Sequence, residues 1–163
     1  MKGSYSVSVR AYLQANNGGE NYLITTDSYG SDFTMNWVYG GIGMDFGGGQ
    51  KEEFGTNDQN CDGKQMLDGN FSWYRINCVY DEQALTFTVT ATKEGDENWA
   101  FCKTHTLTGP ITFGGHKTYG FTIGAQSHLG GWDDGHVSAE LEDGTIIYPN
   151  LSDVRIYSGV IDD

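Results

Sequence analysis

The sequence predicts an all-β chain, an antiparallel sandwich of about a dozen strands with almost no helix, and three observations carry that prediction. Glycine is abundant at 24 residues while proline is scarce at 2, and aromatics reach 13%. Apolar and polar residues alternate at period two along most of the chain, and no stretch repeats apolar residues at helical spacing. Alternation with one polar face is what two stacked sheets require, because each strand turns every second side chain inward.

The elements follow in order. "SYSVSVRAYL" (4–13) sets Tyr5, Val7, Val9 and Ala11 on one face. "NYLITT" (21–26), "FTMNWVY" (33–39) and "IGMDF" (42–46) continue the alternation. A polar, glycine-rich stretch (47–70) then reads as one long connection without strand pattern. "FSWYRINCVYD" (71–81) and "ALTFTVTATK" (84–93) read as a hairpin turning at 81–83, and "NWAFCKTHTL" (98–107) as its next neighbour. "YGFTIGAQ" (119–126), "HVSAELE" (136–142), "TIIY" (145–148) and "NLSDVRIYSGVID" (150–162) complete the set. "HLGGWDDG" (128–135) reads as a second loop, and "EDG" (142–144) carries an Asp-Gly turn signal.

At 163 residues the chain fits a single domain, 1–163. Its 22 acids against 9 bases give a net charge of −13, which repels a phosphate backbone and excludes nucleic acid as an expected partner. No run approaches the roughly 20 apolar residues of a membrane helix, so no membrane partner is expected. Cys61, Cys78 and Cys102 cannot all pair within one chain, and their spacing is not that of a zinc site. Cys78 alternates with Ile76 and Tyr80 and reads as a small buried hydrophobe.

The last strand, "LSDVRIYSGVID", is similar to the closing strand of the laminin-G-like, concanavalin-A-like lectin and glucanase superfamily. "WYRINCVYD" resembles that family's tryptophan-led strand, "LTFTVTA" the strand after its hairpin, "FTIGAQ" the strand ending in Ile-Gly, and "YSVSVRAYL" an opening strand. The pieces come in the family's order and cover most of the chain. The resemblance implies a two-sheet antiparallel jelly roll whose first and last strands lie close together. It also implies a module excised from a larger extracellular or cell-surface protein, acting as a monomer beside neighbouring domains. The segment 130–149 is longer than the family's usual connection, which points to an added hairpin.

Candidate contact residues are aromatics with polar neighbours, because the C–H face of a sugar stacks on an indole while its hydroxyls need replacements for lost water. Trp132 stands in "GGWDD" where no alternation buries it, and Asp133, Asp134 and His136 supply polar groups beside it. Trp37 and Tyr39 share one strand face; that face is either an open aromatic platform or the core. Trp99, after the turn "EGDEN", is a further candidate, whereas Trp73 reads as packing or strand-end support. Structural calcium is the expected cofactor, as in many members of the resembled family, with Asp27, Asp32, Asp133 and Asp134 as ligands. The spacing of Asp58, Asn60 and Asp62 fails the EF-hand pattern because Gly69 stands where its glutamate belongs.

The expected function is a non-catalytic carbohydrate-binding module for a poly- or oligosaccharide. Two alternatives stand beside it: a structural or adhesion sandwich, and a glycoside hydrolase or lyase of the same fold. Glu140 and Glu142 have the i, i+2 spacing of a retaining pair, but they run into a turn, and the glucanases' Glu-x-Asp-x-x-Glu pattern is missing. No catalytic residue is assigned.

Overall fold

A computed structural model describes residues 3–15, 20–25, 33–38, 40–46, 50–56, 65–111, 122–123, 139–140, 143, 146–147 and 150–160. Among these the chain is all-β. The strands are β1 (Tyr5–Leu13), β2 (Glu20–Thr25), β3 (Phe33–Val38), β4 (Gly41–Phe46), β5 (Lys51–Phe54), β6 (Ser72–Asp81), β7 (Thr86–Lys93), β8 (Asp96–Thr106), β9 (Thr122–Ile123), β10 (Ala139–Glu140), β11 (Ile146–Ile147) and β12 (Asn150–Ser158). The first sheet has the order β12-β1-β6-β7-β8 and the second β5-β4-β3-β2-β9, and every pairing is antiparallel. The opening strand lies directly beside the closing one, with Tyr5 opposite Ser158 and Val7 opposite Ile156.

Register turns the alternation into layers. Val7 stands opposite Cys78, which stands opposite Val89, and Val9, Ile76 and Ala91 form the next row. All six are buried, so each step of two residues adds another inward row to one sheet face. In the second sheet Met35 pairs with Met44 and Ile42 with Phe54, all buried. Both inner faces join one core, and the rings of Phe54 and Phe87 meet across it at 6.1 Å. At one edge Glu52 of β5 accepts a hydrogen bond from Lys103 Nζ of β8 at 2.9 Å and lies 2.8 Å from His105 Nδ1. This tie closes the sandwich where the two edge strands face each other.

The stretch 47–70, expected to be strandless, contains β5. "KEEF" is polar except for Phe54, so its pattern is that of an edge strand held by its neighbour and one buried ring. Gly41 and Gly55 permit the close approach that follows. A side chain at Gly41 would run into the Phe54 carbonyl, and Gly55 adopts φ +63 against Met66. Met66 and Leu67 are buried there, their amides donating to Gly40 O at 2.9 and 2.7 Å. The hairpin between β6 and β7 turns over residues 82–85, with Asp81 Oδ1 accepting from the Gln83 and Ala84 amides. The expected extra hairpin is present as the β10-β11 ribbon, Ala139 opposite Ile147.

Cys78 is a free, buried thiol, and burial pushes its pKa up to about 12. Cys102 is free and exposed; Cys61 lies outside the described residues.

Candidate functional site

The same alternation that buries Val9 and Ile76 sends Arg10, Tyr12, Trp73, Arg75 and Asn77 to the outer face of the first sheet. Register then decides which of them meet: Arg10 stands opposite Arg75, and Tyr12 opposite Trp73. The Tyr12 ring lies 5.2 Å from Trp73 and stacks on Phe71 at 5.1 Å, giving a three-ring row that is only partly buried. The Arg10 guanidinium carbon sits 3.6 Å above the Trp73 ring, a cation–π contact.

The edge strand β12 adds to this face through a bulge. From Ser8 to Arg10 β1 advances two residues, while its partners fall back three, from Arg155 to Ser152. The additional residue allows Ser152, Asp153 and Arg155 all to reach polar partners on the outer face. Asp153 adopts φ 50, a left-handed conformation unusual for a residue other than glycine. Arg75 Nη2 donates to its Oδ2 at 2.7 Å, and Arg155 Nε to its Oδ1 at 2.7 Å. Arg155 and then Arg75 hold the Asp153 carboxyl below its ordinary range.

Arg10 is clamped in the same way. Its Nε and Nη2 donate to the two oxygens of Glu94 at 2.5 and 2.7 Å, and Nη1 reaches Ser152 Oγ at 3.4 Å. These bonds lower the Glu94 pKa and raise that of Arg10. Beside the arginines the face continues as hydroxyls: Thr86, Thr88, Thr90 and Thr92 on β7, with Thr104 bonded to Thr88 at 2.9 Å. The arrangement sets partly buried rings, Phe71 among them packed against the core, beside fixed planar donors for oxygen ligands.

Few of the residues expected from sequence lie among the described ones. Trp99 lies in β8, partly buried against the core, with its ring edge-on to Tyr74 at 5.4 Å and 66°. The backbone of Trp37 pairs with Asn21 and Ile42; its side chain is outside the described set. Tyr39, Trp132, Asp133, Asp134, His136, Asp27 and Asp32 also lie outside the described residues. Among the described residues no group of three His, Cys, Asp or Glu is placed to hold a metal ion. Glu140 pairs with Ile146 in the small ribbon, and Glu142 is outside the described set.

Sequence reasoning passed over Arg10, Tyr12, Arg75 and Arg155 and assigned Trp73 to packing. Their signal was the polar half of each alternating strand, "R-A-Y" in β1 and "W-Y-R" in β6. What brings them together is strand pairing, which alternation alone does not encode.

No protein-family model matches the chain, and no curated protein matches it. Solved structures with a similar fold do exist. One, from a study of botulinum neurotoxin type C cell entry and its dependence on two ganglioside molecules, gives a TM-score of 0.56 at 10% identity over 99% of this chain. The binding domain of botulinum neurotoxin DC, solved with rat synaptotagmin II, gives 0.56 at 9% identity over 98% of the chain. The same domain in complex with SialylT gives 0.54 at 10% identity over 98%. The chain spans 34%, 33% and 33% of those proteins, so the likeness is one of fold over about a third of their length.

Proposed function

We propose that this domain is a non-catalytic carbohydrate-binding module of laminin-G-like, concanavalin-A-like type, borne by a larger extracellular or cell-surface protein. The observation that carries the reading is the Phe71-Tyr12-Trp73 row set beside Arg10, Arg75, Ser152 and Asp153 on one sheet face. Stacking needs such rings, and orientation of a sugar needs fixed donors and acceptors within reach of them. Two of the solved structures named above lend support, because one comes from a study of cell entry through two ganglioside molecules and the other is a binding domain in complex with SialylT. The absence of the glucanase carboxylate pattern from the sequence supports a binding rather than hydrolytic role.

The loop group Trp132, Asp133, Asp134 and His136 is proposed as a second contact, with Trp37 and Tyr39 as its aromatic complement and Trp99 at the margin. Calcium held by Asp27, Asp32, Asp133 and Asp134 has a structural role in this reading. The test is retention of the purified domain on a panel of soluble and insoluble polysaccharides, with released sugars measured in parallel. Retention without release is expected. Release of sugar by the isolated domain makes it an enzyme, and retention on no polysaccharide leaves the adhesion or structural reading.

A further inference from the structure

The chain has three arginines, Arg10, Arg75 and Arg155, and all three converge on the outer face of the first sheet. β12, β1 and β6 are consecutive there, Arg10 opposite Arg75 and Arg155 opposite Ser8. Such clustering is not a by-product of composition in a chain of net charge −13. Among the described residues two acids, Glu94 and Asp153, are paired with the three guanidinium groups, which leaves that set one positive charge in excess. Arg155 is the most open, its side chain 56% exposed.

The forks are built for a carboxylate and already hold one. Asp153 receives Arg75 Nη2 on Oδ2 at 2.7 Å, and Arg155 Nε and Nη2 at 2.7 and 2.8 Å. A guanidinium carries five N–H donors; Arg75 commits two to Asp153, and Arg155 commits two there, with a further hydrogen bond to Tyr157. The remaining donors lie on the same face as the aromatic row. Bidentate pairing of a guanidinium with a carboxylate is stronger and more directional than a neutral hydrogen bond, and lysine does not reproduce it.

From this we infer that the ligand is an acidic glycan carrying sugar carboxylates, seated with a ring on the aromatic row and a carboxylate on the Arg75 and Arg155 donors that Asp153 leaves uncommitted. The inference rests on the carbohydrate-binding reading above and names its ligand class. It accounts for arginines on an otherwise anionic domain, whose general field would repel a polyanion and so restrict binding to this face.

A matched pair of probes tests it: polygalacturonate and its fully methyl-esterified form, with neutral dextran and xylan in the same assay. Polygalacturonate is expected to bind about tenfold or more tightly than the ester at low salt, the difference shrinking as salt rises. Arg155→Gln, at an exposed position, should still unfold cooperatively and bring both probes to one affinity. Arg155→Lys should lose most of the preference too, because it keeps charge without the fork. Equal affinity of the wild type for the two forms overturns the acidic-glycan inference while carbohydrate binding stands. Failure to bind either form overturns it as well, and the neutral probes then show whether carbohydrate binding itself survives. A full preference in Arg155→Gln and in Arg75→Gln removes the arginine forks from recognition.

Discussion

Raising the pH above 9 should destabilise this domain through one buried thiol. Cys78 is completely buried between Val7 and Val89, and burial moves its pKa from 9.0 to about 12. Above pH 9 the unfolded chain releases this proton while the folded chain keeps it. The folded state then binds more protons than the unfolded one, and stability falls as pH rises from 9 to about 12. The loss has a limiting slope of about 1.4 kcal/mol per pH unit, so by pH 10 it amounts to roughly 1.4 kcal/mol. Tyr5, raised chiefly by burial and also by Cys78 and Tyr80, adds a loss of the same sign above pH 10, so the diagnostic interval is pH 8.5 to 10. The assay is urea unfolding across that interval in a Cys61→Ser, Cys102→Ser background, with and without Cys78→Val. Valine nearly preserves volume and suits a strand, so the variant should fold and lose the alkaline slope. Identical slopes with and without Cys78 would refute the assignment of a buried, protonated thiol to the core.

At the acid end the sign reverses. Glu94 and Asp153 have lowered pKa values, through Arg10 and through Arg155 with Arg75, so their stabilisation is present above their ordinary values of 4.5 and 3.8 and is lost as pH falls through the depressed folded values. The Glu94→Gln, Asp153→Asn double variant should show a flatter melting temperature between pH 4.5 and 2 than the wild type. The Arg10-Trp73 stack should appear as non-additivity: the double variant Arg10→Gln, Trp73→Ala should lose about 2 °C less than the sum of the single losses, and strict additivity would mean the stack is absent in solution. If loop acids hold calcium, calorimetry in millimolar calcium should give a higher melting temperature than in EDTA by mass action, and equal values would remove calcium from the account.

Much of the fold was legible because burial and alternation are linked residue by residue. The alternation of Val7, Val9 and Ala11 and of Ile76, Cys78 and Tyr80 marks their inward rows without any knowledge of pairing, and all six are buried. Lys51–Phe54 was illegible because an edge strand with one buried residue has no repeat to read. The outer face was half legible: the polar row of each strand could be written down, but the meeting of Arg10, Arg75 and Arg155 depends on the order β12-β1-β6 and on a bulge. Trp73 reads as packing or strand-end support because its strand resembles a structural one, and strand pairing sets its ring against Tyr12 and under Arg10. Trp99 reads as a contact candidate because it follows a turn, and β8 sets its ring edge-on to Tyr74.

If a glycan binds the outer face of the first sheet, Trp73→Ala must lose affinity for the best-retained polysaccharide. Titration calorimetry on the wild type, Trp73→Ala and Trp132→Ala would compare the sheet face with the loop group in one experiment. Base–aromatic stacking at nucleic-acid sites is worth about 1–3 kcal/mol, and the low end of that range predicts an affinity loss of about five- to thirtyfold for Trp73→Ala, in a variant that still unfolds cooperatively. Unchanged affinity in Trp73→Ala would contradict the claim, and a loss confined to Trp132→Ala would place the glycan on the loops.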